Sequence, residues 1–233
     1  MFVPSSDLRQ QLDSNGLIGP FPLSAAPFGE LHRLIDAALT DQNPRNLHAK
    51  LHLAKRIITD RSITKLVVDL FGSGYQLWRT NFFSRRPGAP HPGVAVHHDK
   101  HFQNGNELVD FDELGDHLSV VIALDAIDSR NGRLVYLPGS HHGSPAGMDR
   151  DQRPFELRSI EDHFPHVPLE LAQQFEELSL PAASFCLFHS ALLHGSRPSD
   201  GEVGRTSMVG RLVRSHCRIP SNCAEPGEIC FYC

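Results

Sequence analysis

From Tyr75 onward the chain becomes a succession of short apolar or alternating runs separated by Gly, Pro, Asn and Asp. "YQLWRTNFF", "LSVVIALDAI", "RLVYLPGS", "SFCLFHSALLHGS" and "RTSMVGRLVRS" are rich in β-branched and aromatic residues and are bounded by turn signals. No such run can bury itself alone, so the pattern predicts an all-β sandwich or barrel with helices packed outside it. Upstream the texture is helical. "SSDLRQQLDSNG" has capping serines and a glycine stop, and "FGELHRLIDAALT" places Phe28, Leu31, Leu34, Ile35 and Leu39 at helical spacing. Residues 46–71 continue in that style, with a break expected near Asp60–Ser62. The expected organisation is a single domain over residues 1–233, mainly β with flanking helices. Residues 1–74 are mostly helical, 75–213 form the β core and 214–233 are a Cys-rich tail. Two long connections interrupt the core, 100–117 (polar and acidic) and 143–180 (with a helix near "PLELAQQFEELS"), and both read as lids.

Charge and composition narrow the partners. A net charge of −5 without a Lys/Arg-rich run argues against nucleic acid. No apolar run approaches the ~20 residues that span a bilayer, and "MFVPSSDLRQ" lacks a signal-peptide pattern, so no membrane partner and a cytoplasmic location are expected. Cys186 sits in an apolar strand run and reads as core. Cys217, Cys223, Cys230 and Cys233 crowd the tail, where irregular spacing favours unligated thiols over structural zinc. Fifteen histidines is a high count, and His32, His48 and His52 fall on the helices as structural or solvent-facing residues.

The chemistry concentrates in "VAVHHDKHF", Val94 to Phe102. On extended backbone, residues i and i+2 point the same way, giving two candidate pairs, His97 with Asp99 and Asp99 with His101. One imidazole and one carboxylate make two-thirds of a 2-His-1-carboxylate facial triad, which leaves adjacent positions on Fe(II) open. By itself His-x-Asp is a weak signal. Downstream, an apolar strand ends in His194-Gly195-Ser196, a turn-rich "RPSDGEVG" follows, and a second strand opens at Arg205. A hairpin of that shape is expected to bring His194, Ser196, Arg205 and Ser207 onto one inward face. A buried guanidinium there needs an anion, and its planar fork fits a carboxylate. A co-substrate that chelates metal at one end and carries a carboxylate at the other satisfies both, and 2-oxoglutarate has that shape.

Three motifs in order resemble the phytanoyl-CoA dioxygenase family of Fe(II)/2-oxoglutarate-dependent oxygenases: "VHHD", "NGRLVYLPGSHHG" and "LLHGSRPSDGEVGR", with Arg205 eleven residues after His194. Val96 stands where the family usually has tryptophan. The resemblance implies a double-stranded β-helix (a jelly roll, cupin-like), with His97, Asp99 and His194 as the iron ligands and Arg205 on the distal carboxylate of 2-oxoglutarate. It also implies co-substrate contacts from Ser196, Ser119 and Asn81. "WRTNFFSRRPG" is similar to non-haem iron halogenases, but those replace the carboxylate ligand with Ala or Gly, so Asp99 points to hydroxylation.

What the resemblance implies is an oxygenase using Fe(II), 2-oxoglutarate and O2, helped by ascorbate in vitro. It would hydroxylate its substrate and release succinate and CO2; the compact chain and the polar lid candidates suggest a small polar substrate, an amino acid or natural-product intermediate. Desaturation, cyclisation and epimerisation use the same centre. Alternatives are a non-catalytic jelly-roll protein that binds metal or 2-oxoglutarate, and a zinc hydrolase. The acidic residues Glu107, Asp110, Asp112, Glu113 and Asp116 suit a cationic substrate group, whereas Arg79, Arg85 and Arg86 suit an anionic one. Asn131 and Gly132 read as turn residues, His141, His142 and His189 as structural, and His98 and His101 as neighbours of the site. Oligomeric state is left open.

Overall fold

The computed structural model describes residues 5–24, 45–99, 101–104, 107–110, 117–143, 169–217, 219 and 230–232. For 5, 101–104, 107–110, 169–170 and 230–232 it describes the backbone alone. The N-terminal helix α1 (Ser5–Asn15) stops at Gly16, whose φ of 78° lies in the left-handed region and whose amide donates to Leu12 O at 2.8 Å. Residues 46–71 form three short helices: α2 (Leu47–Lys50), α3 (His52–Ile58) and α4 (Arg61–Phe71). The expected break near residue 60 is there, because the Asp60 side chain caps α4 by accepting from Ser62 N at 2.8 Å. A second break, at extended Leu51, was not foreseen. The helix expected over Phe28–Leu39 lies outside the described residues.

Among the described residues there are twelve strands, all paired antiparallel, and the longer ones coincide with the expected β runs. They are β1 (Leu17–Pro22), β2 (Tyr75–Arg85), β3 (Val94–His97), β4 (His101–Asn104), β5 (Glu107–Asp110), β6 (His117–Ala123), β7 (Leu134–Tyr136), β8 (Glu176–Leu178), β9 (Ser184–His189), β10 (His194–Ser196), β11 (Arg205–Arg214) and β12 (Cys230–Tyr232). A six-stranded sheet has the order β1-β9-β6-β11-β2-β12, a four-stranded sheet β3-β10-β7-β8, and β4-β5 is a separate hairpin within the first long connection.

The two faces of the large sheet follow from period two. On β6, Leu118, Val120 and Ile122 face outward into a cluster with Ile57, Ile58, Ile63 and Val67 of the helices. Val121 and Ala123 face inward and pack with Cys186, Phe188 and Val209, and with Tyr136 from the small sheet. This is the jelly roll expected, with α3 and α4 against the outer face of the large sheet. Cys186 is buried at 0 % exposure, as its apolar surroundings required.

Four expectations need correction. "LIGPFP" in the helical third is the edge strand β1, paired with β9 through an irregularity between Ile18 and Phe21; an edge tolerates its prolines because one row of amides needs no partner. The helix near "PLELAQQFEELS" is the single turn α5 (Leu169–Ala172), and Glu176–Leu178 is instead β8, pairing with β7. The tail is not merely a Cys-rich extension, since β12 closes the other edge against β2. Finally, His194 and Arg205 do not lie on one hairpin. Strand β10 pairs with β3 and β7, whereas β11 pairs with β2 and β6, so the 197–204 connection crosses between sheets. Its polar backbone bonds instead to the 86–93 loop, where His91 and Ser199 bridge and Gly88 N donates to Gly201 O at 2.8 Å. The expected residues still converge, but they do so across the sandwich.

Candidate metal centre

His97 ends β3 and His194 begins β10, and the register pairs them directly, with ring centroids 4.3 Å apart. In each, Nδ1 lies close to the carbonyl two residues back, at 2.8 Å from Ala95 O and 2.9 Å from Leu192 O. An Nδ1–H donating there leaves the Nε2 lone pair aimed into the sandwich. Asp99 follows in the turn, fixed by its amide donating to Ser190 O at 2.7 Å. Its Oδ1 lies 3.9 Å from His97 Nε2 and its Oδ2 3.9 Å from His194 Nε2. One ligand atom from each of the three residues falls within 4.8 Å of the others. Phe188, with its ring centroid 4.5 Å from that of His194, supplies an apolar wall.

The electrostatics suit a cation. Burial, then His194, push the His97 pKa down to about 4, and burial likewise lowers that of His194, so both imidazoles are neutral ligands near pH 7. Burial opposes ionisation of Asp99, but Arg211, His194 and His97 outweigh it and hold the carboxyl far below the usual carboxylate range. A neutral, neutral, anionic donor set of two nitrogens and one oxygen fits a divalent first-row metal. The sequence left two pairs open. His97 with Asp99 is the one that the structure brings to His194, while the side chain of His101 lies outside the described residues. His98 is near enough to act on the charge of His194 without joining the set.

A second feature is a pair of buried guanidiniums. Arg205 on β11 is register-opposite Arg85 on β2, at 5 % and 6 % exposure. Arg205 Nε donates to Asn131 O at 3.0 Å; Arg85 donates to the same carbonyl at 2.7 Å, to Arg197 O at 3.0 Å and to Ser196 Oγ at 2.7 Å. Among the described residues neither has an acidic partner. Burial pushes Arg85 down to about 10, and burial with the neighbouring Arg85 pushes Arg205 down to about 9, as expected of two cations without an anion. The terminal nitrogens of Arg205 have no acceptor among the described residues. Ser196 is two residues past His194 on the same strand face, about 7 Å along it, a span that a five-carbon dicarboxylate can bridge. Asn131 and Gly132 are turn residues as expected, but the turn also serves this pair. Gly132 has φ 87°, and a Cβ there would meet Arg85 Nη1 at 2.0 Å.

The remaining expected contacts divide. Ser196 touches Arg85, and Ser207 is buried on the inner face opposite Phe83 and Ala123. Asn81 is buried on that face opposite Val209 and bridges to Arg45. Ser119, for which the resemblance implies a co-substrate contact, donates to Asp99 Oδ2 at 2.8 Å. Two residues were missed. Arg85 was read only as a hint about substrate charge, and Arg211, ion-paired to Asp99 Oδ2, was not singled out. The available signal was alternation, since Arg211 is six residues from Arg205 and so shares its face.

His48 and His189 are structural as expected: His48 is buried against Thr80 Oγ1 at 2.7 Å, and His189 Nδ1 accepts from Ala191 N at 3.1 Å. His117, at 1 % exposure, carries a prediction. Burial, then Arg211, push its pKa down to about 3, against about 6.5 when unfolded. Between those values the unfolded chain binds a proton that the native protein refuses. Its contribution is therefore neutral above pH 6.5, and stability falls as pH drops below it, by about 1 kcal/mol at pH 5.5. Urea midpoints at pH 7.5 and 5.5 should show this loss, and His117→Gln should shrink it; an unchanged slope would place the acid sensitivity elsewhere.

The fold and site together define a jelly roll in which two histidines and one aspartate could hold a metal, with a buried arginine pair beside them. The chain belongs to the phytanoyl-CoA dioxygenase (PhyH) family, which it matches over residues 25–207. No curated protein matches it in sequence. Solved structures share the fold at low identity. The epimerase SnoN in complex with Fe3+, alpha ketoglutarate and nogalamycin RO is 16 % identical with a TM-score of 0.69, over 95 % of this chain and 92 % of that one. The alpha ketoglutarate dependent carbocyclase SnoK from nogalamycin biosynthesis is 15 % identical with a TM-score of 0.65, over 91 % and 86 %. Iron-bound HygX from Streptomyces hygroscopicus is 18 % identical with a TM-score of 0.64, over 89 % and 87 %. Among the described residues no helix is long and apolar enough to cross a membrane.

Proposed function

We propose that this chain is an Fe(II)/2-oxoglutarate-dependent oxygenase that hydroxylates an unactivated C–H bond of a small polar substrate. The observation that carries this reading is the convergence of His97 Nε2, His194 Nε2 and an Asp99 oxygen, next to a buried arginine pair with no acidic partner among the described residues. The iron-bound and alpha ketoglutarate-bound neighbours support it. Bound Fe(II) with a chelated 2-oxo acid and O2 supplies oxidative decarboxylation to succinate and CO2, coupled to oxidation of a substrate C–H bond.

The protein's part is positional. His97 and His194 each place Nδ1 against a backbone carbonyl, an arrangement that favours the tautomer ligating through Nε2. Arg205 offers its terminal N–H groups to the distal carboxylate, and Arg85 braces it through the shared Asn131 carbonyl and adds positive potential. Phe188 and the packed interior exclude water on the closed side. Asp99 occupies the position that would have to be vacant for a halide ligand, which favours hydroxylation over halogenation.

Purified protein with Fe(II), ascorbate and 2-oxoglutarate is expected to release succinate only when O2 is present, faster with the right substrate. Tight binding of metal and keto acid without succinate, across amino acids and natural-product intermediates, would instead support a binding protein.

A further inference from the structure

The inner face of the large sheet carries two pairs of like charge. One is Arg85 beside Arg205; the other is Arg79 beside Arg211, whose row continues to Ser119 on β6. The second is compensated from the opposite sheet. Asp99 reaches in from the turn after β3, and its Oδ2 accepts both from Ser119 Oγ at 2.8 Å and from Arg211 Nη1. Arg211 Nη1 is also 3.4 Å from Ser119 Oγ, so the two donors border one oxygen position. The pair is well covered, with side-chain exposures of 13 % for Arg211 and 2 % for Asp99. Both donors are on Oδ2, which also lies 3.9 Å from His194 Nε2, while Oδ1 lies 3.9 Å from His97 Nε2.

We propose that Arg211 and Ser119 form an anion seat which the Asp99 carboxylate fills, so that Oδ2 is held by the protein and Oδ1, without a protein donor among the described residues, is the oxygen left for the metal to take. Arg211 is then a positioning residue. It fixes the carboxylate rotamer before metal arrives, and it balances a buried anion that would otherwise repel an incoming second carboxylate. Because the seat is built from donors outside the Asp99 side chain, it persists when that side chain is removed. A small monovalent carboxylate should then enter it, with one oxygen on the seat and the other toward the two imidazoles. The inference rests on the metal-site reading above.

The test is chemical rescue with formate in chloride-free buffer, read by Mn(II) calorimetry. Asp99→Gly is expected to lose more than about a hundredfold in Mn(II) affinity, beyond what the loss of an outer partner gives, and formate should recover a large part of it. Asp99→Gly with Arg211→Met should show no recovery, and Arg211→Met alone should lose about tenfold or more with partial return in Arg211→Lys. If Asp99→Gly is poorly folded, the thermal midpoint of the metal-free variant replaces the readout: formate should raise it, and should not raise that of the double variant. Rescue that survives Arg211→Met, or a folded Asp99→Gly that formate does not help, overturns the seat. Failure of the wild type to bind Mn(II) or Fe(II) at all would overturn the metal-site reading instead.

Discussion

Arg205→Met is expected to weaken 2-oxoglutarate binding by about 3 kcal/mol, roughly a hundredfold, while leaving the protein without co-substrate at least as stable as the wild type. The two halves come from the same geometry. Arg205 is 5 % exposed, sits opposite Arg85, and has one backbone acceptor for its whole guanidinium. In the absence of an anion it is a desolvated charge beside a like charge, so an apolar side chain of similar volume relieves strain. Asn131 O keeps its bond from Arg85. With a dicarboxylate bound, the same guanidinium makes charge-assisted hydrogen bonds in a site of low dielectric, and truncation forfeits them. Anaerobic calorimetry with Mn(II)-loaded protein measures the first half and denaturant unfolding the second. A variant that loses stability but keeps 2-oxoglutarate affinity would show that Arg205 is a structural residue.

Asp99→Ala should abolish succinate release and lower metal affinity by more than about a hundredfold, beyond what the loss of an outer partner gives. His98→Ala should leave both largely intact. The two residues are adjacent in one short loop, so the contrast tests the ligand assignment rather than the loop. Asp99→Ala should also destabilise the protein by about 3 kcal/mol, because Arg211 is left buried without its anion. Loss of metal from His98→Ala would move the ligand set by one residue.

The metal centre was legible because its chemistry is local. His97 and Asp99 are two residues apart on extended backbone, and the direction of their side chains follows from the period of a strand. His194 and Arg205 were singled out by an expected hairpin and given their roles by motif resemblance, and that hairpin was wrong in form. Short apolar runs announce that strands exist, but a strand's partner is set by which faces bury together, and β10 and β11 bury theirs in different sheets. β1 was hidden for a related reason: an edge strand needs little apolar alternation, so "LIGPFP" reads as a turn-rich link.

The sequence by itself determined that the core is β with helices outside it, and it placed His97 and Asp99 on one side of an extended segment. These depend on residue type and spacing along one strand. Register and sheet packing decided the rest. Arg85 faces Arg205 because ten pairs align β11 with β2, and Arg211 meets Asp99 because two sheets close on one another. Neither is a property of any segment alone, since charges on separate strands acquire an interaction energy only when the fold fixes their distance and removes the water between them.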